Sequence, residues 1–221
     1  MGNTAGFENE RPEHIVTVSK PFYLSQTPIT VAQFSRFVEV TQYQTSAELD
    51  GVGCLWMYLG ANSSEPVRGV SWIDACYYAK WLSASGGMVR LPTEAEWEYA
   101  CQAHHEIPLD ERAWYQNNAR GRVHRVAQKQ ANGFGLYDML GNVAEWTQDD
   151  FQAYSTAPRT DPIVLTNGSV KVLKGGSYAA PAEKTTPSVR GLGTKNHYRE
   201  YSGFRVLKSF TVPADFRGFS R

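Results

Sequence analysis

The chain has 221 residues with 22 acidic and 22 basic side chains, so it is long enough for one domain with a sizeable core, and its charge balance gives no case for nucleic acid or an anionic membrane as partner. No apolar run approaches the roughly 20 residues of a membrane span, and Met1-Gly2-Asn3 opens on a polar segment without a leader pattern. Cys54, Cys76 and Cys101 are odd in number and widely spaced, which excludes a disulfide framework and a paired-cysteine metal site and predicts buried free thiols.

Residues 1–11 are polar and read as a loose end. His14-Ile-Val-Thr-Val18 alternates and predicts a strand; Phe22-Tyr-Leu24 predicts a second. Thr30 with Gln33 forms a capping box, and the helix behind it places Val31, Phe34, Phe37 and Val38 on one face. Residues 42–69 read as a polar, glycine-containing connection. Ser71 with Asp74 is a second box; Ala75, Tyr78, Ala79 and Leu82 then face the core, and Gly86-Gly87 stops the helix. Thr93 with Glu96 opens a third helix to about Ala103, with Trp97, Ala100 and Cys101 inward.

Three acids on that helix, Glu94, Glu96 and Glu98, invite a catalytic reading. The plainer one is that acids at a helix start favour its dipole, and that one of them caps. His104-His105 follows as a solvated helix end, since adjacent side chains diverge and no third ligand is near. Gly121-Arg-Val-His-Arg-Val126 alternates briefly.

Residues 151–168 form a Pro- and Asp-rich loop. Ser169-Val-Lys-Val-Leu-Lys174 predicts a core strand, ended by Gly175-Gly176 with close backbone packing. Residues 179–202 are polar, carry no helical period and contain Pro181, Pro187, Gly191 and Gly193. Gly203-Phe-Arg-Val-Leu207 predicts a closing strand, followed by an aromatic and basic tail. Aromatics at 13% and 19 glycines suit a loop-rich fold with aromatic plugs.

The stretch that organises the chain is Asn132-Gly-Phe-Gly-Leu-Tyr-Asp-Met-Leu-Gly-Asn-Val-Ala-Glu-Trp146. It has neither helical nor strand periodicity. Its glycines permit tight turns, its apolar residues anchor the loop, and Asn132, Asp138, Asn142 and Glu145 bring oxygen. An anchored loop offering carboxylate, amide and carbonyl oxygens suits a hard cation such as Ca²⁺. The same residues also suit an irregular core segment whose polar groups bond to backbone.

Leu91-Pro-Thr-Glu-Ala-Glu-Trp-Glu-Tyr-Ala100, Gly135-Leu-Tyr-Asp-Met-Leu-Gly-Asn-Val-Ala-Glu-Trp146, Lys174-Gly-Gly-Ser-Tyr178 and Gly203-Phe-Arg205, in that order, closely resemble the formylglycine-generating enzyme (sulfatase-modifying factor) family. With Pro21-Phe-Tyr-Leu-Ser-Gln-Thr-Pro-Ile-Thr30 and Val70-Ser-Trp-Ile-Asp-Ala75, the resemblance covers residues 12–208. It implies a single α+β domain over 1–221, a variant of the C-type lectin fold rich in irregular structure, with structural Ca²⁺. The ligands implied are the Asp138 side chain, the Gly141 and Val143 carbonyls and the Glu145 carboxylate; Asp138 stands where the family often has Asn. A second family Ca²⁺ site needs a longer loop than Asn117–Gln130 supplies. His124 matches a family His read as structural. Cys101 stands where the family has a disulfide cysteine, but its usual partner position holds Val206.

The chemistry implied by the resemblance is incomplete. The family enzyme oxidises a substrate cysteine with two cysteines that bind copper, and at those positions this chain has Ala180 and Thr185. Cu(I) needs soft thiolates, so no copper and no formylglycine formation are expected. Ala144 replaces the family's oxygen-pocket Trp, while Ser177 matches its active-site Ser.

Two readings follow. The first is a binding domain for a protein or small molecule, such as a bacterial accessory factor or a variable protein of a diversity-generating retroelement. It would display residues 178–202, with Tyr178, His197, Tyr198, Arg199 and Tyr201 as contacts. The alternative is an oxidoreductase of siderophore-maturation type, with Ser177, Tyr178, Arg190, His197, Arg199 and Arg205 around a cleft. Convergence of those side chains would favour the enzyme; dispersal would favour the binder.

Overall fold

Local capping sets the helices. In the computed structural model, which describes residues 1–103 and 106–209, all three predicted capping boxes are closed by reciprocal hydrogen bonds. After a 3-10 turn at Glu8–Glu10 come two short strands that pair elsewhere, β1 (Val16–Thr17) and β2 (Phe22–Leu24), followed by α1 (Val31–Thr41). Phe34 and Phe37 are buried, and Val31 and Val38 pack at the edge of the same core.

Residues 42–69 contain two short helices that the polar composition concealed, α2 (Ser46–Leu49) and α3 (Leu55–Leu59). A fourth capping box, Thr45 with Glu48, starts α2. Trp56 of α3 is 2% exposed and packs edge-on to Phe34 at 5.2 Å.

Next come α4 (Trp72–Ser83), β3 (Met88–Arg90) and α5 (Glu94–Cys101), which ends two residues before the predicted Ala103. Gly86 and Gly87 take φ +113° and +87° in the turn after α4, conformations open to glycine. Then follow α6 (Leu109–Arg112), β4 (Ala113–Trp114), β5 (Leu140–Gly141), β6 (Ala144–Asp150), β7 (Arg159–Thr160), β8 (Val170–Lys174), β9 (Gly191–Thr194), β10 (Ser202–Gly203) and β11 (Leu207–Ser209).

Four strands form the main sheet in the order β10-β6-β8-β9; β2-β11-β3, β1-β7 and β4-β5 are smaller pieces. Every residue of β6 is buried, including Thr147, Gln148, Asp149 and Asp150. The main core lies between this sheet and α1 and α4, where Phe34, Tyr78, Trp146 and Phe204 meet. Burying each such side chain stabilises the fold by about 1.5–3 kcal/mol.

Several expectations are corrected by long-range contacts. Residues 1–11 are not loose: the Gly2 amide donates to Glu98, Glu10 is 1% exposed, and Asn9 exchanges bonds with Arg190. The predicted closing strand is broken at Phe204–Val206, because the chain leaves β6 and turns to β2 and β3. Residues 179–202 contain a four-residue strand, β9, paired with β8 through Val170↔Thr194. The alternating run 121–126 forms no strand. The three cysteines are free; Cys76 is half-buried and Cys101 buried, but Cys54 is exposed, its thiol on Glu48. His104, His105 and the tail after Ser209 lie outside the described residues.

Candidate functional site

Gly141 organises the predicted metal loop. Its φ of +71° and a backbone approach that would put a Cβ 2.1 Å from the Trp114 carbonyl admit only glycine. Asn142 (φ +54°) spans the loop: its carbonyl side accepts the His124 amide at 3.0 Å, and its NH₂ reaches the His124 carbonyl and Asp138. His124 stacks on Trp114 with centroids 3.8 Å apart and bonds to the Ala119 carbonyl, so it is structural as read.

The four implied Ca²⁺ ligands are all buried. Asp138 accepts the Ala127 amide at 2.8 Å, and no cationic side chain of the described residues bonds to it. Burial pushes its carboxyl above the ordinary range, with Arg205 and Glu145 close enough to act on it in opposite senses. Glu145 is already engaged: Arg205 grips both its oxygens at 2.7 and 2.8 Å, and Trp97 donates to one at 2.7 Å. Among the described residues no three acidic, His or Cys side chains gather as a metal cluster. Of the two implied carboxylates, Glu145 is thus already held by Arg205, while Asp138 has no cationic hydrogen-bond partner among the described residues.

The helix acids do more than favour a dipole. Glu94, 3% exposed, receives two parallel bonds from Arg190 at 2.7 and 2.9 Å and one from Tyr154. Lys174 bonds Glu98 at 3.0 Å and stands 3.7 Å from Glu94. Glu96 is held by Arg90 and closes the cap. These are fastenings, since every carboxylate has a cationic partner.

Of the family's catalytic positions, Ser177 is 6% exposed, Thr185 is 1% exposed with its hydroxyl on the Pro181 carbonyl, and Ala180 carries its own carbonyl to the Gln116 amide. None of the five principal cavities is lined by Ser177, Ala180 or Thr185. The six side chains proposed for a cleft are dispersed. Arg190 is locked on Glu94, Arg205 on Glu145, and Tyr178 packs with Val123 and Val143, while His197 is exposed.

The predicted ligand segment divides in two. Thr185, Ser188, Val189 and Arg190 are buried, so the stretch 185–190 is anchored in the core and not a displayed loop, while Ala179, Glu183 and Lys184 before it are exposed. From Leu192 to Tyr201 the chain is largely exposed. His197 is open to solvent, and the Tyr198 hydroxyl donates to Asp50 at 3.1 Å. Arg199 bonds the Tyr201 hydroxyl and stacks over its ring, and Tyr201 packs half-buried against two core clusters. Tyr178 lies 7% exposed under Arg68.

Beside this turn lies a cavity of about 980 Å³ that sequence reasoning missed. Asn196 and Asp50 edge it, over Tyr43, Tyr77 and Trp81. Its walls come from α1, α2 and α4, so no local motif could have marked it.

The sequence matches the family model described as the sulfatase-modifying factor enzyme 1-like domain over residues 1–210. It is 31% identical to the formylglycine-generating enzyme of Mycobacterium tuberculosis, covering 94% of this chain and 93% of that one. It is also 30% identical to the serine/threonine-protein kinase pkn1 of Chlamydia pneumoniae, covering 94% of this chain but 36% of the kinase. Among solved structures, PvdO from Pseudomonas aeruginosa superposes with a TM-score of 0.79 at 22% identity, covering 95% of this chain and 90% of that one. Treponema denticola variable protein 1 gives 0.78 at 24%, covering 94% and 90%. These two likenesses establish the fold.

Proposed function

Because the chain belongs to the sulfatase-modifying factor enzyme 1-like family, whose catalytic cysteine positions it fills with Ala180 and Thr185, we propose that it is a binding domain and not a formylglycine-forming oxidase. The observation that carries this reading is the packing at the cysteine positions: a buried Thr185 bonded to Pro181, and no cavity among the principal ones beside it. No thiolate is present there for copper. Function resides in the site and not in the fold.

The contact surface proposed is the exposed run from Leu192 to Tyr201. His197 and Tyr198 are presented directly, Arg199 and Tyr201 form a braced pair, and Tyr178 supports them from below. Its frame is rigid, since β9 is paired to β8 and Gly203 to Glu145 of β6. Such a surface suits an accessory factor inside a larger assembly, or a variable display protein. The domain-sized match within the kinase pkn1 supports the first, and the likeness to the Treponema variable protein the second. The dispersal of Ser177, Arg190, His197 and Arg205 counts against the siderophore-maturation type of oxidase.

A structural Ca²⁺ at Asp138, Gly141, Val143 and Glu145 belongs to the same proposal. It would relieve the uncompensated carboxylate of Asp138.

The test of the catalytic part is direct. A sulfatase-type cysteine peptide incubated with the protein and copper is expected to show no formylglycine by mass spectrometry; product above a no-protein control overturns the reading.

A further inference from the structure

A second cleft, of about 490 Å³, runs along the outer face of α4 on the side toward β3. Its volume falls in the range of small-molecule sites. Its floor is apolar: Trp72, Ala79, Val89 and Leu91 are each at most 9% exposed. Two further features separate it from an ordinary surface crease.

The first is charge. Lys80, Lys195 and Arg90 line the cleft, and no acid does, in a chain whose acidic and basic residues balance. Arg90 is neutralised by Glu96 at 2.7 Å. Lys80 and Lys195 are exposed and form no ion pair with any described residue. Lys208 lies beside the same mouth, its side chain against Gly87.

The second is Gln148. It is 3% exposed, lines the cleft, and its side-chain amide bonds to no described residue; only its backbone is engaged, with Pro92 and Lys171. Its amide is not among the fully buried unpartnered polar atoms, so it opens on the cleft, where water serves it when the cleft is empty. A polar group on an occupant would satisfy it.

We infer that this cleft binds a small amphipathic anion. The occupant is a free acyl or aryl carboxylate whose body lies against Trp72, Val89 and Leu91, with its acid group between Lys80 and Lys195. Carboxylates are bonded more strongly by ammonium groups than by neutral donors. The cleft itself supplies the apolar surface that makes burial of the body favourable. The cleft adjoins the surface at 192–201 through Lys195, but its floor and Lys80 lie outside that run, and the inference does not depend on the function proposed for it.

The experiment uses the full chain with 8-anilinonaphthalene-1-sulfonate as probe, which is itself an apolar ring system bearing an anion. Its fluorescence is expected to rise and saturate at one probe per chain. Dodecanoate below its micelle concentration is expected to displace it, and dodecyltrimethylammonium at equal concentration to leave it bound. Lys80→Glu with Lys195→Glu should weaken dodecanoate binding at least tenfold without shifting the melting temperature, both positions being exposed. Ile73→Trp, which narrows the cleft from a half-exposed position, should weaken both ligands. Equal displacement by the cation, unchanged affinity in the lysine double variant, or binding to phosphatidylglycerol vesicles but not to free dodecanoate would each overturn the inference.

Discussion

Arg190 and Glu94 meet side-on, Nε to Oε1 at 2.7 Å and Nη2 to Oε2 at 2.9 Å, both almost wholly buried. The pair joins the residue before β9 to the first turn of α5. Arg190 also donates to the carbonyls of Asn9 and Gln152 and stacks on Tyr154 at 4.0 Å. One guanidinium thus fastens four segments. Removing it leaves Glu94 with the Tyr154 hydroxyl and, as its cationic partner among the described residues, Lys174 at 3.7 Å. Breaking a buried pair by deleting one partner costs about 3–5 kcal/mol. Arg190→Ala should therefore lower urea stability by that amount, and Arg190→Ala with Glu94→Gln by less than the sum of the two. A loss under about 1 kcal/mol would mean that the pair contributes no more than a surface bridge.

This pair also shows where the sequence stops being legible. The capping boxes at Thr30, Ser71 and Thr93 involve partners three residues away, so the local pattern reveals them. The partner of Arg190 is 96 residues distant. Read locally, residues 179–202 are polar and so look like a surface loop; in the fold Arg190 is neutralised by Glu94 of α5 and buried, while Glu183 and Lys184 stay exposed. Glu10 and Gly2 escaped notice for the same reason, since their partners are Ser188 and Glu98. The irregular loop over 132–146 was legible because glycine at Gly141 answers a local backbone demand, its φ of +71°. The two clefts on α4 were not, because their walls come from separated segments.

Asp149 gives a pH dependence with a defined sign. Its carboxylate accepts the amides of Glu94 at 2.8 Å and Val164 at 2.9 Å, tying the 151–168 loop to the start of α5. Burial first, and the Glu94 charge second, push its pKa up to about 7 from an ordinary 3.8. A carboxyl with a raised folded-state pKa binds more protons in the folded than in the unfolded state between those values. Its contribution to stability is therefore full at acid pH and falls as pH rises toward about 7. Asp149→Asn should flatten that decline over pH 4–7, read as urea midpoints at closely spaced pH values. At the acid end Asp149 is itself protonated and, like the amide, offers one good acceptor, so the variant should come closest to wild type there. An unchanged slope would assign the pH dependence to other groups.

Calcium is tested best at Asp138. Glu145→Ala would orphan Arg205 and destabilise the fold with or without metal, because that guanidinium is fully buried on Glu145. Asp138 has no ion pair with the described residues, so its removal reports on the metal more cleanly. Protein purified without chelator should hold one Ca²⁺ per chain by elemental analysis, and its melting temperature should rise with added Ca²⁺. In Asp138→Ala that rise should vanish while the chelator-treated melting temperature falls only modestly, by the loss of the Ala127 bond, about 1 kcal/mol. Wild type without bound Ca²⁺ or a Ca²⁺-dependent rise would remove the metal from the site.

The contact surface makes the most exposed prediction. Tyr201 packs on two core clusters and braces Arg199, so truncating either would disturb the frame as well as the surface. His197 and Tyr198 separate the two effects. His197 is solvent-exposed, and Tyr198 is tied only by its hydroxyl to Asp50 on the rim of the 980 Å³ cavity. His197→Ala with Tyr198→Ala should hold the melting temperature within a degree or two, because an exposed single hydrogen bond is worth well under 1 kcal/mol. The double variant should nevertheless weaken binding of whichever partner the wild-type domain retains by more than about 1 kcal/mol, the level that separates contacts from bystanders. Tyr198→Phe distinguishes the two parts of that side chain. It keeps the ring and drops the Asp50 bond, so a ring contact survives it and a hydroxyl contact does not. Undiminished binding by the double variant, with the fold intact, would place the contact surface away from residues 192–201.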